Sequence, residues 1–116
     1  MNAKKNDPDD KLLIAPKELA RKLAAKEKFT LLDVRSAPEY QVLHIPDARL
    51  ATRKLVDELF ASWPKDSDIV LCDHFGSSGL DAARVLTQKG FTNVKALRGG
   101  IDAWSQEIDP LTPRYA

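Results

Sequence analysis

Cysteine, histidine and glycine are all scarce in this chain, with one, two and five copies among 116 residues. A lone cysteine, Cys72, excludes an intrachain disulfide and points to a reducing compartment. Two histidines and one cysteine, at positions 44, 74 and 72, lack any recognised metal-ligand spacing. No glycine-rich loop of the nucleotide-binding kind is present, so no cofactor is expected. Eighteen basic against seventeen acidic residues leave a formal charge of +1. That balance carries neither the basic field of a nucleic-acid binder nor an acidic tract. No apolar run approaches the roughly 18 residues of a membrane span. The first ten residues, Met1 to Asp10, are polar and have no apolar core of a signal peptide. The expectation is a cytoplasmic protein with neither nucleic acid nor membrane as partner.

What is present suffices for a buried core, with 43% hydrophobic and 30% charged residues. Residues 1–10 read as a disordered lead-in and 11–116 as one domain. Leu12-Leu13-Ile14 suits a short edge strand. Ala15-Pro16-Lys17-Glu18 opens a helix with proline in its first turn and a stripe of Leu19, Leu23 and Ala24. Phe29 to Val34 is a nearly continuous apolar run, the mark of a parallel strand covered on both faces. Asp33 within it needs a partner, which Arg35 or a backbone N–H could supply. Ser36-Ala37-Pro38-Glu39 caps a short helix through Val42, and Arg49-Leu50-Ala51 suits another strand. Leu55, Val56, Leu59 and Phe60 mark a helix ending before Trp63-Pro64. Strand 69–72, helix 79–89, a strand within 91–97, the turn Arg98-Gly99-Gly100 and a helix from Ile101 follow. Trp63 and Trp104 read as core. Strands alternating with helices imply an α/β fold, a mainly parallel sheet with helices on both faces.

The stretch Val70-Leu71-Cys72-Asp73-His74-Phe75-Gly76-Ser77-Ser78-Gly79 carries the candidate chemistry. An apolar strand delivers Cys72 to a short polar loop that precedes a helix. Ligands of open parallel sheets bind beyond the carboxyl ends of the strands, where Cys72 falls. Loop amides and the helix dipole favour an anion there and would lower a thiol pKa. The same position also suits an inert, buried small hydrophobe. Ser77 and Ser78 read as helix caps, with Ser78 and Asp81 at the spacing of a capping box. His74 could steer an anion, Asp73 would oppose ionisation of a neighbouring thiol, and Phe75 covers the loop or meets a partner.

Several stretches resemble a rhodanese-like domain. Asp33-Val34-Arg35, Glu39-Tyr40 and His44-Ile45-Pro46-Asp47-Ala48 resemble its D-V-R, E-[FY] and H-I-P-G-A signatures, with Asp47 in place of the glycine. Gly90-Phe91-Thr92-Asn93-Val94 and Arg98-Gly99-Gly100-Ile101-Asp102-Ala103-Trp104 resemble its closing segment. Ile108-Asp109-Pro110 and Pro113-Arg114-Tyr115 resemble the tail of small bacterial members. The resemblance implies a three-layer α/β sandwich and a cysteine that carries sulfane sulfur as a persulfide. It implies a thiosulfate or persulfide donor and an external thiol or protein acceptor. It casts Cys72 as nucleophile, residues 73–79 as substrate loop, and Asp33, Arg35 and His44 as supports around the site.

The family loop reads C-x-x-G-x-R-[ST]. Counted from Cys72, the segment is one residue longer than in short members, and Ser77 or Ser78 fills the arginine position. Without that arginine a bidentate partner for oxyanions is missing, which disfavours thiosulfate and makes a phosphatase or arsenate reductase remote. Arg98, near the same sheet end, is the candidate replacement. Two readings stay open: a sulfurtransferase using Cys72, and an inactive module that binds a partner or small anion.

Overall fold

The computed structural model describes residues 8–110, and five parallel strands form its centre. In chain order they are β1 (Leu13–Ile14), β2 (Thr30–Asp33), β3 (Arg49–Leu50), β4 (Ile69–Cys72) and β5 (Val94–Leu97). Their order across the sheet is β1-β5-β4-β2-β3. The helices between them are α1 (Pro16–Ala24), α2 (Ala37–Val42), α3 (Arg53–Ser62), α4 (Ser77–Gln88) and α5 (Gly100–Glu107). The α/β architecture expected from the alternation is thus observed.

Strand β4 lies between β5 and β2, and all four of its residues are buried. Such a strand must be apolar on both faces, and Ile69-Val70-Leu71-Cys72 is. Because side chains alternate, Val70 and Cys72 join one apolar cluster with Leu31, Ile45, Leu97, Ile101 and Trp104. Ile69 and Leu71 join the opposite cluster with Leu32, Leu59, Leu86 and Phe91. Trp104 is a core residue as expected, while Trp63 is partly buried at the edge of the second cluster.

All strands being parallel, their carboxyl ends lie along one edge of the sheet. Asp33 sits there in register with Cys72. Its carboxylate is fully buried and receives both the amide and the guanidinium of Arg35, with Nη2 at 2.8 Å from Oδ2. Arg35 Nη2 also donates to the Leu43 carbonyl at 2.6 Å, tying β2 to the end of α2. Short extended links on either side favour the caps that open the helices. Ser36 accepts from the Glu39 amide, and Thr52 accepts from the Leu55 amide at 3.1 Å.

Of the expected lead-in over residues 1–10, only residues 8–10 are described. Residues 1–7 and the tail from Leu111 lie outside the described residues, but Pro8–Leu12 form a 3-10 turn. Lys95 Nζ holds the Lys11 carbonyl, and Leu12 packs against the second cluster, so the chain is drawn onto the sheet before β1. Helix α4 begins two residues before its expected start, for reasons that belong to the loop.

Truncating one member of a buried ion pair leaves the other charge uncompensated. Arg35→Met is therefore expected to lower unfolding free energy by about 3–5 kcal/mol, read from urea denaturation. The double variant Arg35→Met/Asp33→Asn should lose less than the two single losses added together.

Candidate active site

The loop Asp73-His74-Phe75-Gly76 joins β4 to α4, and its organising group is the Asp73 carboxylate. Asp73 is 4% exposed. The Gly76 amide donates to Oδ1 and the Ser78 amide to Oδ2, each at 2.7 Å. These are charge-assisted bonds at the positive end of α4, where orphan helix amides favour an anion. The backbone of the same loop is held from the other side. The Ile101 amide donates to the Asp73 carbonyl at 2.8 Å and the Asp102 amide to the His74 carbonyl at 3.0 Å. Two helix N-termini thus converge on one aspartate.

Glycines permit this closeness. Gly76 has φ +109°, and a Cβ there would lie 3.0 Å from the Gly99 amide nitrogen. Gly100 has φ +63°, and a Cβ on it would meet the His74 carbonyl oxygen at 2.5 Å. Only a residue without a side chain fits either place.

These contacts correct the expected caps. Gly76, in the left-handed region, is the N-cap of α4, and Ser77 and Ser78 are its first helical residues. The expected capping box of Ser78 and Asp81 does not form. Asp73 has already taken the Ser78 amide, and Asp81 pairs with Arg84 at 2.9 Å. Gly79 is buried against the Leu71 carbonyl and the Asp73 carboxylate.

Cys72 does not face this loop. It is the last residue of β4, fully buried, with its side chain in the first apolar cluster. Burial above all, and then the Asp33 carboxylate, push its thiol well above the ordinary value; Arg35 pulls the other way and Asp73 adds to the rise. The expected lowering by loop amides fails because those amides serve the neighbouring carboxylate. As placed here, Cys72 is a buried core residue.

The remaining candidates divide between the loop and its surroundings. His74 Nε2 lies 2.6 Å from Glu39 Oε2, joining the loop to α2. Glu39 also accepts from the Ser36 hydroxyl and amide, which, with the charges of His74 and Arg35, hold its carboxyl below the ordinary range. Phe75 is 57% exposed. His44 stacks on Tyr40 with ring centres 3.9 Å apart, and its Nδ1 meets the Tyr40 carbonyl at 2.8 Å. Arg98 does not replace the missing loop arginine, because it is exposed and turned toward Asp10 at 3.7 Å. Sequence reasoning missed Glu39 as a member of this neighbourhood. Its signal was the cap spacing, which gave no hint that the second oxygen reaches His74.

Known proteins share both the sequence pattern and this architecture. A model of the rhodanese-like domain matches residues 15–107. The chain belongs to the rhodanese-like family. A sulfurtransferase of Allochromatium vinosum is 34% identical over 98 residues, covering 84% of this chain and 92% of that protein. The adenylyltransferase and sulfurtransferase UBA4 of Candida albicans is 33% identical over 118 residues, or 94% of this chain. The chain spans only 27% of the length of that relative. The rhodanese-like domain of Alr3790 from Anabaena has 30% identity and a TM-score of 0.72, covering 90% of this chain and 86% of that one. The human single-domain sulfurtransferase TSTD1, at 21% identity and a TM-score of 0.71, shares the fold.

The observed loop gives the rhodanese-like signature a register. Its glycine belongs at Gly76, where backbone geometry demands one. C-x-x-G-x-R-[ST] then runs over Asp73-His74-Phe75-Gly76-Ser77-Ser78-Gly79. Aspartate stands in the cysteine position, serine in the arginine position and glycine in the final one. The extra residue counted from Cys72 disappears, because Cys72 precedes the loop.

Two measurements check these placements. Asp73→Ala leaves the Gly76 and Ser78 amides without their acceptor and should cost about 2–4 kcal/mol of unfolding free energy, with Asp73→Asn costing less. For Cys72, the unfolded thiol ionises above about pH 8.5 while the buried one stays protonated. Wild-type stability relative to Cys72→Ala should therefore fall by about 1.4 kcal/mol per pH unit above that value, and hold constant below it.

Proposed function

We propose that this chain is a rhodanese-like binding module whose loop is filled by its own carboxylate and does not carry sulfane sulfur. The observation that carries this reading is the buried Asp73 carboxylate bonded to the Gly76 and Ser78 amides at 2.7 Å. Those amides are the donors that would otherwise meet a persulfide or bound anion. Neither oxygen of Asp73 is presented outward, and a carboxylate is a poor nucleophile toward sulfane sulfur. The absence of the loop arginine supports the same reading, since a tetrahedral dianion such as thiosulfate would lack its bidentate partner. What remains available is the outer surface of the loop, with Phe75 exposed beside His74, for a protein partner.

Sulfur carriage on Cys72 is the second reading, favoured by relatives that are named sulfurtransferases. It requires a thiosulfate or persulfide donor, an external thiol or protein acceptor, and movement that brings the thiol out of the core.

Intact-protein mass after incubation with thiosulfate, and separately with a persulfide donor, separates the two readings. Wild type is expected to gain no sulfur from either. Asp73→Cys/Ser78→Arg is expected to gain one sulfur from thiosulfate under conditions in which wild type gains none. In that step the new thiolate takes the sulfane sulfur and sulfite leaves. One sulfur on wild type that is lost in Cys72→Ser would overturn the proposal in favour of the second reading.

A further inference from the structure

The amino edge of the sheet, opposite the Asp73 loop, carries a cavity of its own. Strand β5 starts there at Val94, and α4 ends beside it at Gln88. The turn between them is fixed by its backbone. The Gly90 and Phe91 amides close the last carbonyls of α4, the Thr92 amide donates to the Lys65 carbonyl at 2.9 Å, and the Asn93 carbonyl accepts from the Ile69 amide at 3.1 Å. The negative end of the helix is thus answered by its own turn. The 3-10 turn over Pro8–Leu12 lies across this end, and a cavity of about 530 Å³ remains between it, β5 and residues 90–93. That volume falls within the roughly 300–1,000 Å³ of small-molecule sites.

Every charge lining this cavity is positive. Lys11 stands on the 3-10 turn and Lys95 on β5, and among the described residues no carboxylate lines the cavity or pairs with either lysine. Lys95 is partly buried, and its ammonium is steadied by a bond to the Lys11 carbonyl that leaves its other donors for a ligand. The second cavity on this edge differs, because its carboxylates, Glu27 and Asp68, are each met by Lys22 at 3.1 Å. Beside Lys11 and Lys95 stand the Thr92 hydroxyl and the Asn93 side-chain amide. The amide has no partner among the described residues, and the hydroxyl, which reaches the Lys65 carbonyl at 3.4 Å, keeps its acceptor lone pairs.

Two ammonium groups without counter-ions match a dianion, and a phosphate monoester carries nearly two negative charges at neutral pH. A bare phosphate would leave most of the volume, the hydroxyl and the amide unused. We propose that this cavity binds a sugar phosphate, with the phosphate on Lys11 and Lys95 and the sugar hydroxyls on Thr92 and Asn93. The site lies on the sheet edge opposite the Asp73 loop, so the proposal does not depend on whether the chain carries sulfur.

The test is titration of the isotope-labelled full chain with glucose 6-phosphate, followed through its amide NMR shifts. Saturable shifts are expected at Gly90, Thr92, Asn93 and Lys95, with Gly76 and Ser78 unmoved. Lys11→Gln and Lys95→Gln should each weaken binding about tenfold, the scale of one hydrogen bond to a charged group. Lys11→Gln keeps the carbonyl that Lys95 holds, so its urea midpoint should match wild type. Lys54→Gln, on α3, should bind as wild type does, and affinity should fall as salt is raised. Absence of saturable shifts, or shifts centred on Gly76 and Ser78, would overturn the proposal, as would unchanged affinity in both cavity variants. Inorganic phosphate binding as tightly as the ester would overturn the sugar assignment. Succinate binding as tightly would overturn the phosphate assignment.

Discussion

The convergence of two helix N-termini on Asp73 is the constraint around which the carboxyl edge of the sheet is built. Its carboxylate takes amides from the start of α4, and its carbonyl takes an amide from the start of α5. A buried carboxylate would be costly without such donors, and the donors would be costly without an acceptor. Each half of the arrangement makes the other tolerable. The left-handed glycines at 76 and 100 follow from it, because the two turns approach too closely for a side chain.

On the neighbouring strand β2, a second buried carboxylate, Asp33, has a similar role. It is satisfied by Arg35, which at the same time grips the end of α2. Polar groups that cannot reach water are thereby used to position the segments beyond the strand ends. The apolar clusters beneath secure the strands but not those segments. This leaves the edge with a rigid floor and with one element, α2, attached mainly through polar contacts. Cys72 lies in the floor, while the loop that the family uses for chemistry lies above it.

Much of the fold was legible from residue pattern alone. The nearly continuous apolar run over Phe29 to Val34 and the apolar run at 69–72 declared buried parallel strands, and Ser36 with Glu39 declared the start of α2. Asp33 could be recognised as a group in need of a partner and Arg35 as a candidate to supply it. The site was less legible. Ser77 and Ser78 have the composition of caps, yet the cap of α4 is Gly76, because an acceptor five residues before Ser78 was available in space. Arg98 stands near the double glycine in sequence, but its side chain follows Asp10, which the 3-10 turn brings alongside. The link between Glu39 and His74 joins residues thirty-five positions apart, and no local pattern announces it.

By itself the sequence determined the alternation of strands and helices, hence a parallel sheet, and hence the edge at which any site must lie. It also determined the family, through motifs spread along most of the chain. Only the tertiary structure decided which of two adjacent residues faces the loop. Successive side chains on a strand point to opposite faces, so an uncertainty of one residue in where β4 ends exchanges core for cradle. Cys72 falls on the core side of that boundary and Asp73 on the loop side. The boundary is set by two amides and a glycine turn downstream, contacts that exist only once the chain has folded.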